Sequence, residues 1–291
     1  MKPSVVVGYD ESPQSELAVD VAAAEAARRG AELIVVHATR HVSAEMPPYE
    51  MQMPVPGAEY GGEPASQVAE QGAERARAGH PGLPVQARDL VGGAAQVLAD
   101  LSSEADLMVV GHRGRGGFAG LQLGSVAVRT VGRSSCPIMV VRGDAHRPRP
   151  LGTVLAAVDL GDATDEILDF AFAEATQRGA RLRAISALEI LWPRASAVDT
   201  GQLSRTADQV VERANAALER LLQAWRAKYP DVPTEHEVVE GSPAAVVTAA
   251  TGDADLVVAG ARRRGDGLRI GPVAHVLLLH AECPVAVVPH D

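Results

Sequence analysis

Cysteine is almost missing from this 291-residue chain: Cys136 and Cys283 are too few for a disulfide framework and lack the spacing of a zinc site. They read as small buried apolar residues. Aromatics are scarce at 3% although 46% of residues are hydrophobic, so the core must be built from Ala, Val and Leu, as where Val-rich parallel strands pack under Ala-rich helices. No apolar run approaches the roughly 20 residues that cross a bilayer, since even the C-terminal stretch is broken by His275, His280 and Glu282. The early run Val5 to Val7 is too brief for a signal-peptide core and is followed by Asp10 and Glu11. A cytoplasmic protein is expected. Positive charge is also short, 27 Lys and Arg against 37 Asp and Glu, and the net charge of −10 opposes attraction to phosphate backbones or anionic membranes. Neither nucleic acid nor membrane is therefore expected as a partner. Gly-x4-Gly-Lys-[Ser/Thr] and Gly-x-Ser-x-Gly motifs are absent too, which removes the usual signs of a P-loop or a hydrolase elbow.

What is present is a repeat. Val5-Val6-Val7-Gly8-Tyr9-Asp10 returns as Leu155-Ala156-Ala157-Val158-Asp159, and Asp106 to Arg113 returns as Asp255 to Arg262, both shifted by 149. Gly124-Ser125-Val126-Ala127 matches Gly271-Pro272-Val273-Ala274, and Cys136-Pro137 matches Cys283-Pro284, now shifted by 147. Two residues are thus missing from the second copy between Gly260 and Gly271. The boundary falls in the Pro-rich and charged stretch 143–150, which gives domains 1–145 and 151–291.

Within a copy, apolar strands alternate with helices. In the first, strands are expected at about 4–9, 33–38, 84–88, 106–110 and 137–141, with helices from Ser12-Pro13 to Gly30, near 64–79, near 93–104 and after Gly124. Such alternation implies parallel pairing through right-handed crossovers. Each copy is expected to be a five-stranded parallel doubly wound α/β domain, and ligands of such sheets sit beyond the strands' carboxyl ends where strand order reverses.

At that edge the first copy runs from Gly111 through Gly114 to Gly124-Ser125, in the pattern Gly-x2-Gly-x9-Gly-Ser with further glycines at 116, 117 and 120. A glycine loop brings main-chain N–H groups close to an anion, and a helix opening at Gly124-Ser125 adds amides and a positive dipole end. Arg113 and Arg115 can add charge-assisted hydrogen bonds. The alternative is tight-turn chemistry in a surface loop. Asp10, ending the first strand, can accept from a ribose hydroxyl or an adenine amine, or it can serve as a helix cap.

Both copies resemble universal stress protein domains, and the whole chain resembles the tandem members of that family. The resemblance implies ATP binding in the first copy, with Mg²⁺ or a similar cation. Asp10 would meet adenine or ribose and the backbone at Ala38 the adenine. Gly111 and Gly114 would lie around ribose and phosphates, and Gly124, Ser125 and Val126 on the phosphates. It also implies that the final strands pair the two copies within the chain, with a homodimer as a further possibility.

The second copy keeps Asp159, Ala187, Gly260 and Gly271 but has Arg263 in place of Gly114, Pro272 in place of Ser125, and a shorter loop. Proline removes a hydroxyl and an N–H from the helix start, so a triphosphate is expected to bind weakly or not at all, although Arg262, Arg263 and Arg264 offer charge to a smaller anion. The Pro- and Met-rich segment 43–62 is read as a lid, a partner surface or a surface loop. A helix near 204–228 carries the stripe Val210, Ala214, Ala217, Leu218, Leu221 and Trp225, read as core packing. The function expected is an ATP-binding regulatory protein, with a slow ATPase or phosphotransfer protein using Ser125, and a nucleotide-free scaffold, as alternatives.

Overall fold

The computed structural model describes residues 2–39, 66–116, 122–142, 150–162, 164–189, 200–265 and 267–291, with the backbone alone for 66 and 200–207. The segment 43–62 and the loop glycines Gly117 and Gly120 lie outside the described residues. The chain divides into two compact units, Met1–Thr130 and Val131–Asp291.

The first unit contains β1 (Ser4–Gly8), α1 (Pro13–Arg29), β2 (Glu32–Thr39), α2 (Ser66–Gly79), β3 (Val85–Val91), α3 (Ala94–Leu101), β4 (Leu107–Gly111) and α4 (Ser125–Val131), whose last residue passes the division. Its strands run in the order β3-β2-β1-β4, all parallel. The chain builds outward from β1 and then returns to its other side at β4, so strand order reverses between β1 and β4. Local chemistry fixes α1 at both ends. The Ser12 side chain accepts from Ser15 N–H at 3.2 Å, Pro13 occupies the first turn, and Gly30 ends the helix at φ 60°, its amide returning to the Ala26 and Ala27 carbonyls. Ala18, Val19, Ala22, Ala23 and Ala26 of α1 are buried over β1, as helical spacing requires.

The second unit contains β5 (Ile138–Val141), β6 (Thr153–Ala157), α5 (Asp165–Arg178), β7 (Arg181–Leu188), α6 (Thr200–Lys228), β8 (Thr234–Glu240), α7 (Pro243–Ala250), a 3₁₀ turn (Thr251–Asp253), β9 (Leu256–Arg264), β10 (Gly267–Ile270), α8 (Pro272–His280) and β11 (Val285–His290). Strands run β5-β11-β9-β6-β7-β8, and β10 pairs with β9 alone. The α/β doubly wound class expected from the sequence is the one adopted, and two antiparallel pairings are added to its parallel strands. One joins β5 to β11, and the other is the β9-β10 hairpin. Where a shortened loop was expected after Gly260, β9 therefore runs on to Arg264 and folds back. Among the described side chains of α6 the buried ones are Leu218 and Leu222, while Val210 is exposed, so the packing includes a leucine outside the expected set and leaves out one inside it. Trp225 stacks there on Phe172 at 6.0 Å between ring centroids. No helix among the described residues is long and apolar enough to cross a membrane.

Candidate functional site

A cavity of about 350 Å³ opens in the first unit at the carboxyl ends of β1 and β4, where strand order reverses. All eight residues expected there line it: Asp10, Ala38, Gly111, Arg113, Gly114, Gly124, Ser125 and Val126. Val36, Leu98 and Val110 make its deeper wall apolar, while the glycine loop and the start of α4 form the polar rim.

Asp10 organises this rim. Its Oδ1 accepts from Ser12 Oγ at 2.5 Å and from Ser12 N–H at 3.2 Å, and its Oδ2 accepts from Arg115 N–H at 3.0 Å across the cavity mouth. The N-cap of α1 is Ser12 and not Asp10, which instead holds the cap residue, and since a carboxylate has about four acceptor positions Oδ2 keeps one for a ligand hydroxyl. Burial opposes its ionisation and is the largest single influence. The hydrogen bonds from the Ser12 hydroxyl, Arg115 N–H and Ser15 together outweigh it, and the carboxyl is held below the usual aspartate range. Between Asp10 and the Ser12 cap, Glu11 sits at φ 62°, an uncommon conformation for a residue other than glycine, and its carboxylate receives Arg115 Nη1 at 2.7 Å.

The glycines have distinct reasons. A Cβ at Gly114 would lie 2.3 Å from Asp10 Oδ2, so the loop can close on the carboxylate only without a side chain there. A Cβ at Gly111 would lie 2.7 Å from the Gln14 carbonyl oxygen, so this glycine lets β4 approach the first turn of α1. The Gly124 amide donates to His112 O at 2.7 Å and closes the loop. It is thus engaged within the protein, and the amides that open toward a ligand begin at Ser125 and Val126, which are exposed at the start of α4. Arg113 Nε donates to His112 Nε2 at 3.1 Å.

Tyr9, His37, Leu98 and Leu123 also line the cavity and were not expected from the sequence. His37 Nδ1–H donates to Tyr9 O at 2.9 Å, which ties β2 to the end of β1 at the cavity. Nothing in residue spacing marks it, because its position depends on β1 and β2 pairing in register, Gly8 against Val36. No group of three or more His, Cys, Asp or Glu able to hold a metal ion occurs among the described residues, and Asp10 is the one carboxylate lining this cavity among them. The lining residues therefore do not form a protein metal site.

In the second unit Asp159, Ala187, Gly260 and Gly271 line a corresponding cavity of about 400 Å³. Asp159 Oδ1 accepts from Gly161 N–H at 2.9 Å. Of the three arginines offered there for an anion, Arg262 is paired with Asp162 at 2.7 Å, and Arg263 donates to Ser135 O at 3.2 Å outside the cavity lining.

This arrangement, present twice, agrees with a comparison of the whole sequence. The universal stress protein family model matches residues 1–142 and again 151–289. The chain belongs to the universal stress protein family. A universal stress protein of Mycobacterium tuberculosis is 33% identical over 97% of this chain and 96% of its own length. Among solved structures, a universal stress protein from Archaeoglobus fulgidus covers 99% of this chain and 98% of its own at 16% identity and a TM-score of 0.67, a likeness of fold. A shorter universal stress protein solved in complex with cAMP covers 48% of this chain and 97% of its own at 30% identity, with a TM-score of 0.37.

Proposed function

We propose that the first unit of this universal stress protein binds ATP and that the chain acts as a nucleotide-dependent regulator. The observation that carries this reading is one cavity, about 350 Å³, at the reversal of strand order, with an apolar inner wall and a rim of glycine-loop amides, Ser125 and Arg113. Its size is within the usual range of roughly 300–1,000 Å³ for small-molecule sites. The inner wall suits a purine ring against the backbone of Ala38, Asp10 Oδ2 suits a ribose hydroxyl, and the rim suits phosphates. Mg²⁺ enters the reading only as a counter-ion on the nucleotide's own phosphates, and no step is assigned to it.

Regulation requires that the ligand favour one of two arrangements. The link from the glycine loop through Arg115 N–H to Asp10, and from Asp10 to the Ser12 cap, gives a route by which an occupied loop biases the start of α1. Catalysis has less support. Ser125 Oγ has no hydrogen-bonded base among the described residues, and a carboxylate held below its usual range, as Asp10 is, makes a weak base. The pairing of β5 with β11 supports the reading that the final strands hold the two repeats together within the chain.

The test is direct: denature the purified protein, identify any released nucleotide, and titrate the nucleotide-free chain with ATP while following turnover. Tight binding at one ATP per chain without hydrolysis supports the reading. Steady turnover would move it to a slow ATPase, and absence of binding would leave a scaffold.

A further inference from the structure

The cavity of the second unit is no collapsed remnant, and its chemistry differs from the first in one half only. Ile185, Ala187 and Val247 stand where Val36, Ala38 and Leu98 stand in the first unit, so the apolar wall is retained. The other half is rebuilt. The position of Gly114 is taken by Arg263, which lies opposite Leu268 in the β9-β10 ladder, so a loop that could fold over phosphates has become a paired hairpin. Pro272 at the start of α8 has no N–H to offer. Arg262 is neutralised by Asp162, with Nε donating at 2.8 Å and Nη2 at 2.7 Å.

Beside Asp159, which keeps the place of Asp10, Thr164 and the Arg262–Asp162 pair, the lining adds Arg269 and His290. Arg269 lines the cavity and no carboxylate pairs with it among the described residues. His290, from the end of β11, is only 4% exposed and also lines the cavity. Its Nδ1–H donates to Asp291 O at 3.2 Å, and its Nε2 edge lies over Gly260, 2.7 Å from where a Cβ would stand. Nε2 has no hydrogen-bond partner among the described residues. With Nδ1 donating, Nε2 accepts from a hydroxyl when the ring is neutral and donates to a phosphate oxygen when it is charged. The first repeat has Gly143 at the matching sequence position, so this ring belongs to the second repeat alone.

A base-sized apolar wall, one imidazole above the glycine of β9 and one arginine at the mouth provide for a single phosphate and leave no amide cradle for two more. We infer that the second unit is a separate site for a nucleoside monophosphate and discriminates against the triphosphate. The base half of this inference rests on the reading of the first unit, because the same wall is invoked in both.

Equilibrium dialysis of the full chain with labelled AMP, in saturating ATP, tests it. The expected result is about one AMP retained per chain, with affinity at least tenfold lower in His290→Ala and in Ala187→Phe, while ATP stoichiometry stays as in the parent. Adenosine in place of AMP is expected to bind at least tenfold more weakly. Complete displacement of AMP by ATP, or AMP binding indifferent to both variants, or adenosine binding as tightly as AMP, overturns the inference. Loss of ATP binding with AMP retained overturns the reading of the first unit alone and leaves this one standing.

Discussion

At Gly114 the requirement for glycine is a distance: a methyl group there would sit 2.3 Å from Asp10 Oδ2. Gly114→Ala must push the carboxylate away and break its bond from Arg115 N–H, yet it touches no packed core. We expect ATP affinity to fall at least tenfold with only a small change in melting temperature, measured by calorimetric titration and thermal unfolding of the same samples. Gly111→Ala should behave differently, because its methyl group meets the Gln14 carbonyl of α1, and overpacking of this kind costs about 1–3 kcal/mol. Affinity and stability should then fall together. The sequence presents these two glycines as equivalent, since spacing reveals that a loop is glycine-rich but not which atom each glycine makes room for. Asp10 adds a pH dependence. Its carboxyl is below the usual range of about 3.9 in the folded chain, so it binds fewer protons folded than unfolded. Its contribution to stability is present above that unfolded value and is lost as pH falls through the lower folded one. Urea unfolding of the parent and Asp10→Asn should therefore show a stability gap at neutral pH that narrows below about pH 4. A gap independent of pH would mean that the carboxylate's charge is not what holds the Ser12 cap and the loop.

At the scale of elements, the parts legible in the sequence are those fixed by neighbours along the chain. Ser12-Pro13 and Gly30 bracket α1 because capping needs only adjacent residues, and Gly179 ends α5 at φ 59° in the same way. The β9-β10 hairpin was hidden for two reasons. Arg262-Arg263-Arg264 has no strand character, and the two residues missing from the second copy suggested a shortened loop. A local signal did exist: Arg264 pairs with Gly267, leaving two residues between them, and the first is Gly265 at φ 59°, as a tight hairpin turn requires. Gly30 and Gly265 both have open space where a Cβ would point, so alanine at either is opposed by backbone conformation alone. Each substitution should cost about 1–2 kcal/mol in urea unfolding. They should separate in binding, because Gly265 closes the hairpin beside the second cavity while Gly30 lies at the far end of α1.

For the whole chain, the repeat in the sequence and the compact units in space do not divide at the same place. Sequence periodicity puts the boundary in 143–150, but the second unit begins at Val131 and includes β5. The reason is a pairing that no repeat register can reveal: Val140 lies opposite Val285, Met139 opposite Ala286 and Ile138 opposite Val287. All six are fully buried. Arg142 extends the attachment, its guanidinium donating to Leu278 O at 2.7 Å and Leu279 O at 2.5 Å at the end of α8. A cut in the linker 143–149 therefore severs the chain without separating β5 from β11. We expect protein nicked there by a protease to elute as one particle of unchanged size and to separate only in denaturant. Residues 151–291 expressed alone should behave otherwise, because β11 would carry an unpaired apolar edge, and an edge of that kind recruits other chains. Size-exclusion chromatography should find that fragment self-associated, and adding back residues 1–142 should reverse it. If the fragment is monomeric and as stable as the intact chain, the β5-β11 ladder contributes little and the sequence boundary is the physical one.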